Sequence, residues 1–307
     1  MTTSQTCSAR AYTNLAQTEH IRLHELNRRV EPAAALMCEP AYFEVRDSKN
    51  AFMQGNVGRV DHDLAKQQWN AVKATFERCG YPVHTVEPVA GLEDMVFAAN
   101  QVLPGIDSSA QPYVVAGQMA FASRQREVPY YLSWFERNGY KILTLPEVDG
   151  KIPTFEGQGD AIWHPSRELL WIAFGNRTQE SACDAVSELL SVPVLKLKLA
   201  TKTFYHLDTA FSALDEETVM IYPAAFENEG LELIRHFFTN VIELTEKDAY
   251  NFAGNAVALR DKRVLLQKGS AEACRQLREA GFEPIELNSS EFMKSGGSLF
   301  CIKMLVY

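Results

Sequence analysis

The chain has 307 residues, 46% of them hydrophobic and 22% charged, and a net charge of −9. That length buries a core without metal or disulfide staples and suits one large or two medium domains. The acidic balance leaves no basic face for nucleic acid or an anionic membrane, and no stretch reaches the ~18 uninterrupted apolar residues of a membrane span.

The six cysteines, Cys7, Cys38, Cys79, Cys183, Cys274 and Cys301, form no C-x-x-C pair and no framework spacing, so zinc knuckles and a disulfide scaffold are not expected. A reducing compartment suits them. Residues 1–6 lack the charged and apolar regions of a secretion signal, and a cytoplasmic protein without metal or cofactor is expected.

Residues 1–35 mix polar residues with a charged amphipathic stretch at 20–30, and are read as an extension or a surface helix. Residues 36–307 are read as one domain. From residue 35 on, helical periodicity alternates with short β-branched runs. Helices are expected at 61–80, 128–139, 180–190, 229–237 and 270–281. A strand is expected after each, at 82–86, 141–145, 192–195, 241–244 and 283–287. The chain closes on a glycine pair, Gly296-Gly297, that opens into an apolar run through Val306, with Cys301 expected where loop becomes strand.

After each helix and strand comes a segment that sets polar residues against a short apolar run. Marked by Asn100, Glu156, His206, Asn255 and Cys301, these segments lie 56, 50, 49 and 46 residues apart. A period near 50, each unit holding strands and one helix, is the signature of a circular or stacked array. Ring closure would bring equivalent strand starts to one mouth, where residues 200 positions apart could share a pocket.

The residue types at those positions suit one chemistry. A cysteine attacks carbon as its thiolate, and a histidine shuttles protons near neutral pH. Asp208, two residues beyond His206, would share its face in a strand. Carboxylates converging on a cysteine ordinarily raise its pKa, so they make sense around a cationic substrate such as a guanidinium. Taken singly, each feature has an ordinary reading: Cys301 as a buried small hydrophobe, His206 as a structural histidine, and Glu156 to Asp160 as a turn. No H-E-x-x-H, Gly-x-Ser-x-Gly or P-loop is present.

The set as a whole resembles the guanidine-modifying pentein superfamily, which includes dimethylarginine dimethylaminohydrolase, arginine deiminase, arginine dihydrolase and glycine amidinotransferase. The residues that carry the resemblance are Met37-Cys38-Glu39-Pro40 with Asn50-Ala51-Phe52-Met53, Phe97-Ala98-Ala99-Asn100, Ser123-Arg124-Gln125-Arg126-Glu127, Phe155-Glu156-Gly157-Gln158-Gly159-Asp160, Gly175-Asn176-Arg177-Thr178, His206-Leu207-Asp208-Thr209 and Gly296-Gly297 ahead of Cys301. The resemblance implies an α/β five-bladed propeller of pseudo-fivefold ββαβ-type units around a central active site. It implies Cys301 as nucleophile on the guanidinium carbon through a thiouronium intermediate, His206 as general acid and then base, and Glu156 as the substrate-binding carboxylate of the catalytic set. It further implies that Asp208 and Asp160 hold the guanidinium or orient its neighbours, that Arg124 and Arg177 take the substrate α-carboxylate, and that Asn50 contacts the substrate's amino-acid backbone.

Family members that make citrulline usually carry an aspartate where this chain has Asn100. A neutral amide lowers the pocket's charge and admits a ureido group as well. The resemblance is therefore greatest to the arginine dihydrolase branch, which takes arginine to ornithine, ammonia and carbon dioxide. Hydrolysis of arginine, dimethylarginine or citrulline with a single product step, and amidino transfer to an amine, stand as alternatives, as does a non-catalytic propeller. The expected partner is a small guanidino amino acid, with no nucleic acid and no membrane. Self-association is left open.

Overall fold

A computed structural model describes residues 10–307. Its strands form five small sheets built to one plan. In each, a central strand lies between an antiparallel neighbour and a parallel one. Val102–Ile106, Pro112–Ala116 and Lys141–Leu143 make the first in chain order. Ala161–Trp163, Leu170–Phe174 and Val194–Lys198 make the next. Phe211–Ala213, Thr218–Ile221 and Asn240–Glu243 follow, and then Val257–Ala258, Arg263–Gln267 and Glu283–Leu287. The fifth joins the last strand to the strand that starts at Ala34. Met304–Val306 runs antiparallel to Ala34–Cys38, which is parallel to Val83–Val86.

Parallel neighbours need a crossover, and each sheet has one helix for it: His62–Arg78, Val128–Arg137, Glu180–Leu190, Asn228–Phe237 and Ala271–Glu279. These agree with the expected helices to within two residues at most ends. His62–Arg78 shows why it forms. Asp61 caps it by accepting from the Leu64 N–H at 3.0 Å, its apolar stripe buries Ala65, Trp69, Val72 and Phe76, and Gly80 ends it at φ +82°. The central strands are buried on both faces, Ala34–Cys38 throughout, which matches their unbroken apolar runs.

Three expectations are corrected. The stretch 20–30 forms no α-helix, only the 3-10 turn Leu23–Glu25; upstream of it Ala11–Tyr12 adds a parallel edge to Val194–Lys198, with Tyr12 fully buried. Residues 1–9 of the expected extension lie outside the described residues. The C-terminal strand is confined to Met304–Val306, because the N–H groups of Ser298, Phe300 and Cys301 all go to the Asn255 side-chain oxygen, at 3.0, 3.0 and 3.2 Å. His206 and Asp208 do not share a strand. Leu207–Thr209 is a 3-10 turn capped by His206, and the strand starts at Phe211. Among the described residues no helix is long and apolar enough to cross a membrane.

Candidate active site

Each polar segment that marks the sequence period ends just before the first strand of a sheet. Asn100 precedes Val102–Ile106, Glu156 precedes Ala161–Trp163, His206 precedes Phe211–Ala213, Asn255 precedes Val257–Ala258 and Cys301 precedes Met304–Val306. The five segments meet. His206 and Glu156 share a 2.6 Å hydrogen bond between Nε2 and Oε2, and Asn255 Nδ2 donates to Cys301 Sγ at 3.1 Å. Cys301 Sγ donates to Asp208 Oδ2 at 3.1 Å, and Arg124 Nη1 donates to Asn100 Oδ1 at 2.9 Å. Cys301, His206, Asn100, Arg124, Arg177 and Asn50 all line one narrow cavity.

Tight backbone geometry aims these groups. Glu156 turns into the helical turn Gly157–Asp160, and Gly157 has φ +49°, where a Cβ would lie 2.7 Å from the Asn100 carbonyl. Only glycine fits there without strain. Glu156 is fully buried. Its Oε1 accepts from the Ala120 N–H at 3.0 Å, and Arg177 Nη1 lies 3.5 Å from Oε2. Burial pushes this carboxyl up, but the His206 hydrogen bond, aided by the His206, Arg177 and Arg124 charges, overcomes burial and holds it at about 2. Asp160 stands behind the wall. It accepts from Thr178 Oγ1 at 2.7 Å and from the Leu207 N–H at 3.1 Å, which fixes the turn beside His206, and burial raises its pKa to about 6.

The nucleophile candidate sits in an acidic, dry place. Cys301 is 2% exposed; burial, then the charge of Asp208, lifts its thiol well above the ordinary range. Burial also raises Asp208, to about 7. Both shifts favour a protonated thiol against Asp208, and a positive charge placed in the cavity would favour the thiolate. That is the electrostatic signature of a pocket built around a cation.

The sequence-expected arginines have distinct settings. Arg124 is buried; it donates to Glu127, to Asn100 Oδ1 and to the Asp94 and Phe97 carbonyls, so most of its donor fork is spent inside the protein. Arg177 lies between the rings of Phe121 and Tyr205, 4.5 and 4.7 Å from their centroids, and donates to the Lys49 carbonyl at 3.2 Å. Asn50 ties its loop to the glycine pair. Its Nδ2 donates to the Ser295 carbonyl at 3.0 Å while its Oδ1 accepts from the Phe52 and Met53 N–H groups at 2.9 and 3.2 Å.

The sequence profile of the family described as N,N dimethylarginine dimethylhydrolase, eukaryotic, matches residues 39–307. The chain belongs to the dimethylarginine dimethylaminohydrolase family. It is 34% identical to the N(G),N(G)-dimethylarginine dimethylaminohydrolase of Mycobacterium tuberculosis over 271 residues, 88% of this chain and 85% of that one. It is also 34% identical, over 88% of its length, to the bifunctional arginine dihydrolase/ornithine cyclodeaminase ArgZ of Synechocystis, but spans only 37% of that longer protein. Among solved structures, the substrate-bound N-terminal domain of ArgZ superposes with a TM-score of 0.83 at 32% identity, covering 89% of this chain and 97% of that domain. The fold is thus the α/β pentein fold of this family.

Several polar groups of the family member's site were not assigned from sequence. Asn255 marked the period but received no role, although it binds both the loop of Cys301 and the thiol; its position in the fourth unit, equivalent to Asn100 in the first, was the available signal. Lys49 and Asp94, 3.1 Å apart on the cavity wall, and Tyr205, whose hydroxyl donates to the Gly296 carbonyl at 2.7 Å, carried no motif. Thr178 stood in a motif without a role of its own, and it bridges Glu156 and Asp160.

Proposed function

We propose that this protein hydrolyses the guanidino carbon of arginine and then the ureido carbon of the resulting citrulline, giving ornithine, carbon dioxide and two ammonia. The first half begins as the cation enters and its charge favours the thiolate, the Cys301 proton passing to Asp208 Oδ2, to which the thiol already donates. The thiolate forms a bond to the guanidinium carbon, the carbon–nitrogen bond to the terminal nitrogen breaks, and His206 gives the departing amine its proton. Ammonia leaves. His206, held in orientation by Glu156, then takes a proton from water as its oxygen attacks the thiouronium carbon, and the carbon–sulfur bond breaks to leave the ureido product. Repetition on that product releases the second ammonia and a carbamate that decomposes to ornithine and carbon dioxide.

The observation that carries the two-step reading is the setting of Asn100. Arg124 Nη1 holds Asn100 Oδ1, which orients the amide, and its Nδ2 is a buried donor without a hydrogen-bond partner. A carboxylate there could only accept, whereas this amide offers a donor to a ureido oxygen. The likeness to the arginine dihydrolase domain of ArgZ supports the same reading. The family's own name favours a second one, in which dimethylarginine is cleaved once and citrulline is the end product.

In this reading the five sheets are the blades of a propeller with the site on its axis, and the catalytic unit takes in the strands Ala11–Tyr12 and Ala34–Cys38, upstream of the boundary expected at 36. The test is incubation with L-arginine, citrulline and dimethylarginine without added metal, following ammonia, citrulline and ornithine, with Cys301→Ser as control. Ornithine with about two ammonia per arginine supports the two-step reading, by the stoichiometry of two carbon–nitrogen cleavages. Citrulline accumulating from dimethylarginine selects the second reading. Wild type indistinguishable from Cys301→Ser on all three overturns both.

A further inference from the structure

The candidate catalytic groups precede the first strand of each sheet, and the far ends of those strands frame a second cavity. Trp163, Ala213, Ala258 and Tyr307, at or just past the ends of four of them, line a space of about 270 Å³. No residue lines both cavities. Among the described residues eight buried side-chain nitrogen and oxygen atoms lack a hydrogen-bond partner, and three of them, Arg29 Nε, Gln158 Oε1 and Lys303 Nζ, belong to residues of this one lining. Contacts with the cavity walls place each head group. Lys303 Nζ lies 3.0 Å from the centroid of the Phe300 ring, Arg29 Cζ lies 5.5 Å from that of Trp163, and Gln158 Nε2 donates to the Leu305 carbonyl at 3.3 Å. Phe300, Trp163 and Leu305 are all wall residues.

Two unpartnered basic donors and one neutral acceptor suit an anion that also carries a hydrogen-bond donor. The acids of the lining do not supply that anion. Glu31 is paired with Arg29 Nη2, Asp215 with Lys262, and Glu216 with Arg28 and Arg167. The space is many times what one water needs, and Trp163, Leu259, Phe300 and Leu305 give its walls apolar surface that water cannot bond. We propose that this cavity is a second binding site, for a small α-hydroxy carboxylate with an apolar body, its carboxylate held by Lys303 Nζ and Arg29 Nε and its hydroxyl donating to Gln158 Oε1. Burial lowers Lys303 to about 7, and an anion beside Nζ favours its ammonium form, so binding is measured slightly below neutral pH.

The inference does not rest on the proposed hydrolysis, and its test uses no turnover. The full chain is dialysed to equilibrium against radiolabelled α-hydroxyisovalerate and, separately, against isovalerate, which lacks the hydroxyl. Saturable binding is expected, with the hydroxy acid about fivefold tighter or more, because it alone uses Gln158. Lys303→Met and Arg29→Gln should each weaken both probes by about 10-fold or more, the scale of one lost hydrogen bond to a charge, and Gln158→Leu should erase the difference between them. Lys303→Met is expected to fold, because an apolar chain of like length replaces a buried amine without a partner. Should it not fold, Arg29→Gln and Gln158→Leu decide. Absence of saturable binding overturns the proposal and leaves the cavity to water. Affinities that the folded variants leave unchanged overturn it too. So does loss of binding in Arg177→Gln, which would place the probe in the catalytic cavity.

Discussion

At the scale of single residues the site is a chain of buried contacts in which each charge leans on the next. The Glu156–His206 pair is the most exacting. Glu156→Gln keeps the shape but removes the carboxylate that orients the imidazole, and turnover should fall by about 100-fold or more with a smaller change in KM, measured as product formed per site. The same carboxyl makes a pH prediction. Its folded value is about 2 against an ordinary 4.5, so its contribution to stability is present in full above 4.5 and lost as pH falls toward 2. Urea unfolding of wild type and Glu156→Gln should therefore differ by a constant amount above pH 4.5 and converge below it. A difference that grows on acidification would contradict the ion pair.

At the scale of elements, short turns decide where the chemistry points. Asn255 gathers three N–H groups of the 298–301 loop onto one oxygen and sends its amide donors to the Asp208 carbonyl and the Cys301 thiol. Asn255→Ala orphans those buried donors at ~1–3 kcal/mol for each that water cannot reach. Destabilisation in urea and loss of Cys301 alkylation are expected together. Gly157→Ala tests the other turn. At φ +49° its new methyl would press on the Val102 and Asn100 carbonyls, and a loss of ~2–4 kcal/mol, read by urea unfolding, is expected from strain and overpacking. Such elements were only partly legible. The helices and the parallel strands showed in hydrophobic period, but the turns at 207–209 and 298–302 read as strand, because side-chain capture of backbone donors by Asp160 and Asn255 comes from residues about 50 positions away.

At the scale of the whole molecule, the last strand pairs with one from near the start of the chain in a single sheet. Met304, Leu305 and Val306 pair with Leu36, Ala35 and Ala34, and Met304 and Val306 are buried against the core. Truncation after Lys303 removes that strand and uncovers both sides of the closure. The expected outcome is loss of the cooperative thermal transition by circular dichroism.

What the sequence by itself determined was the rhythm: five helix-and-strand units, the residue types at their mouths, and the family those types belong to. Cys301, His206 and Glu156 could be picked out because each stands at the same phase of a repeat near 50 residues. Hydrophobic period is a local property, and local properties can be read along a chain. Only the tertiary structure decided which polar atoms face one another. It set Asp160 behind Leu207, spent the Arg124 fork on Asn100 and Glu127, and gave Asn255 the Cys301 loop. The physical reason is distance. Hydrogen bonds and buried charges act over a few ångströms, so their partners are fixed by how the sheets meet and not by where the residues fall in the sequence.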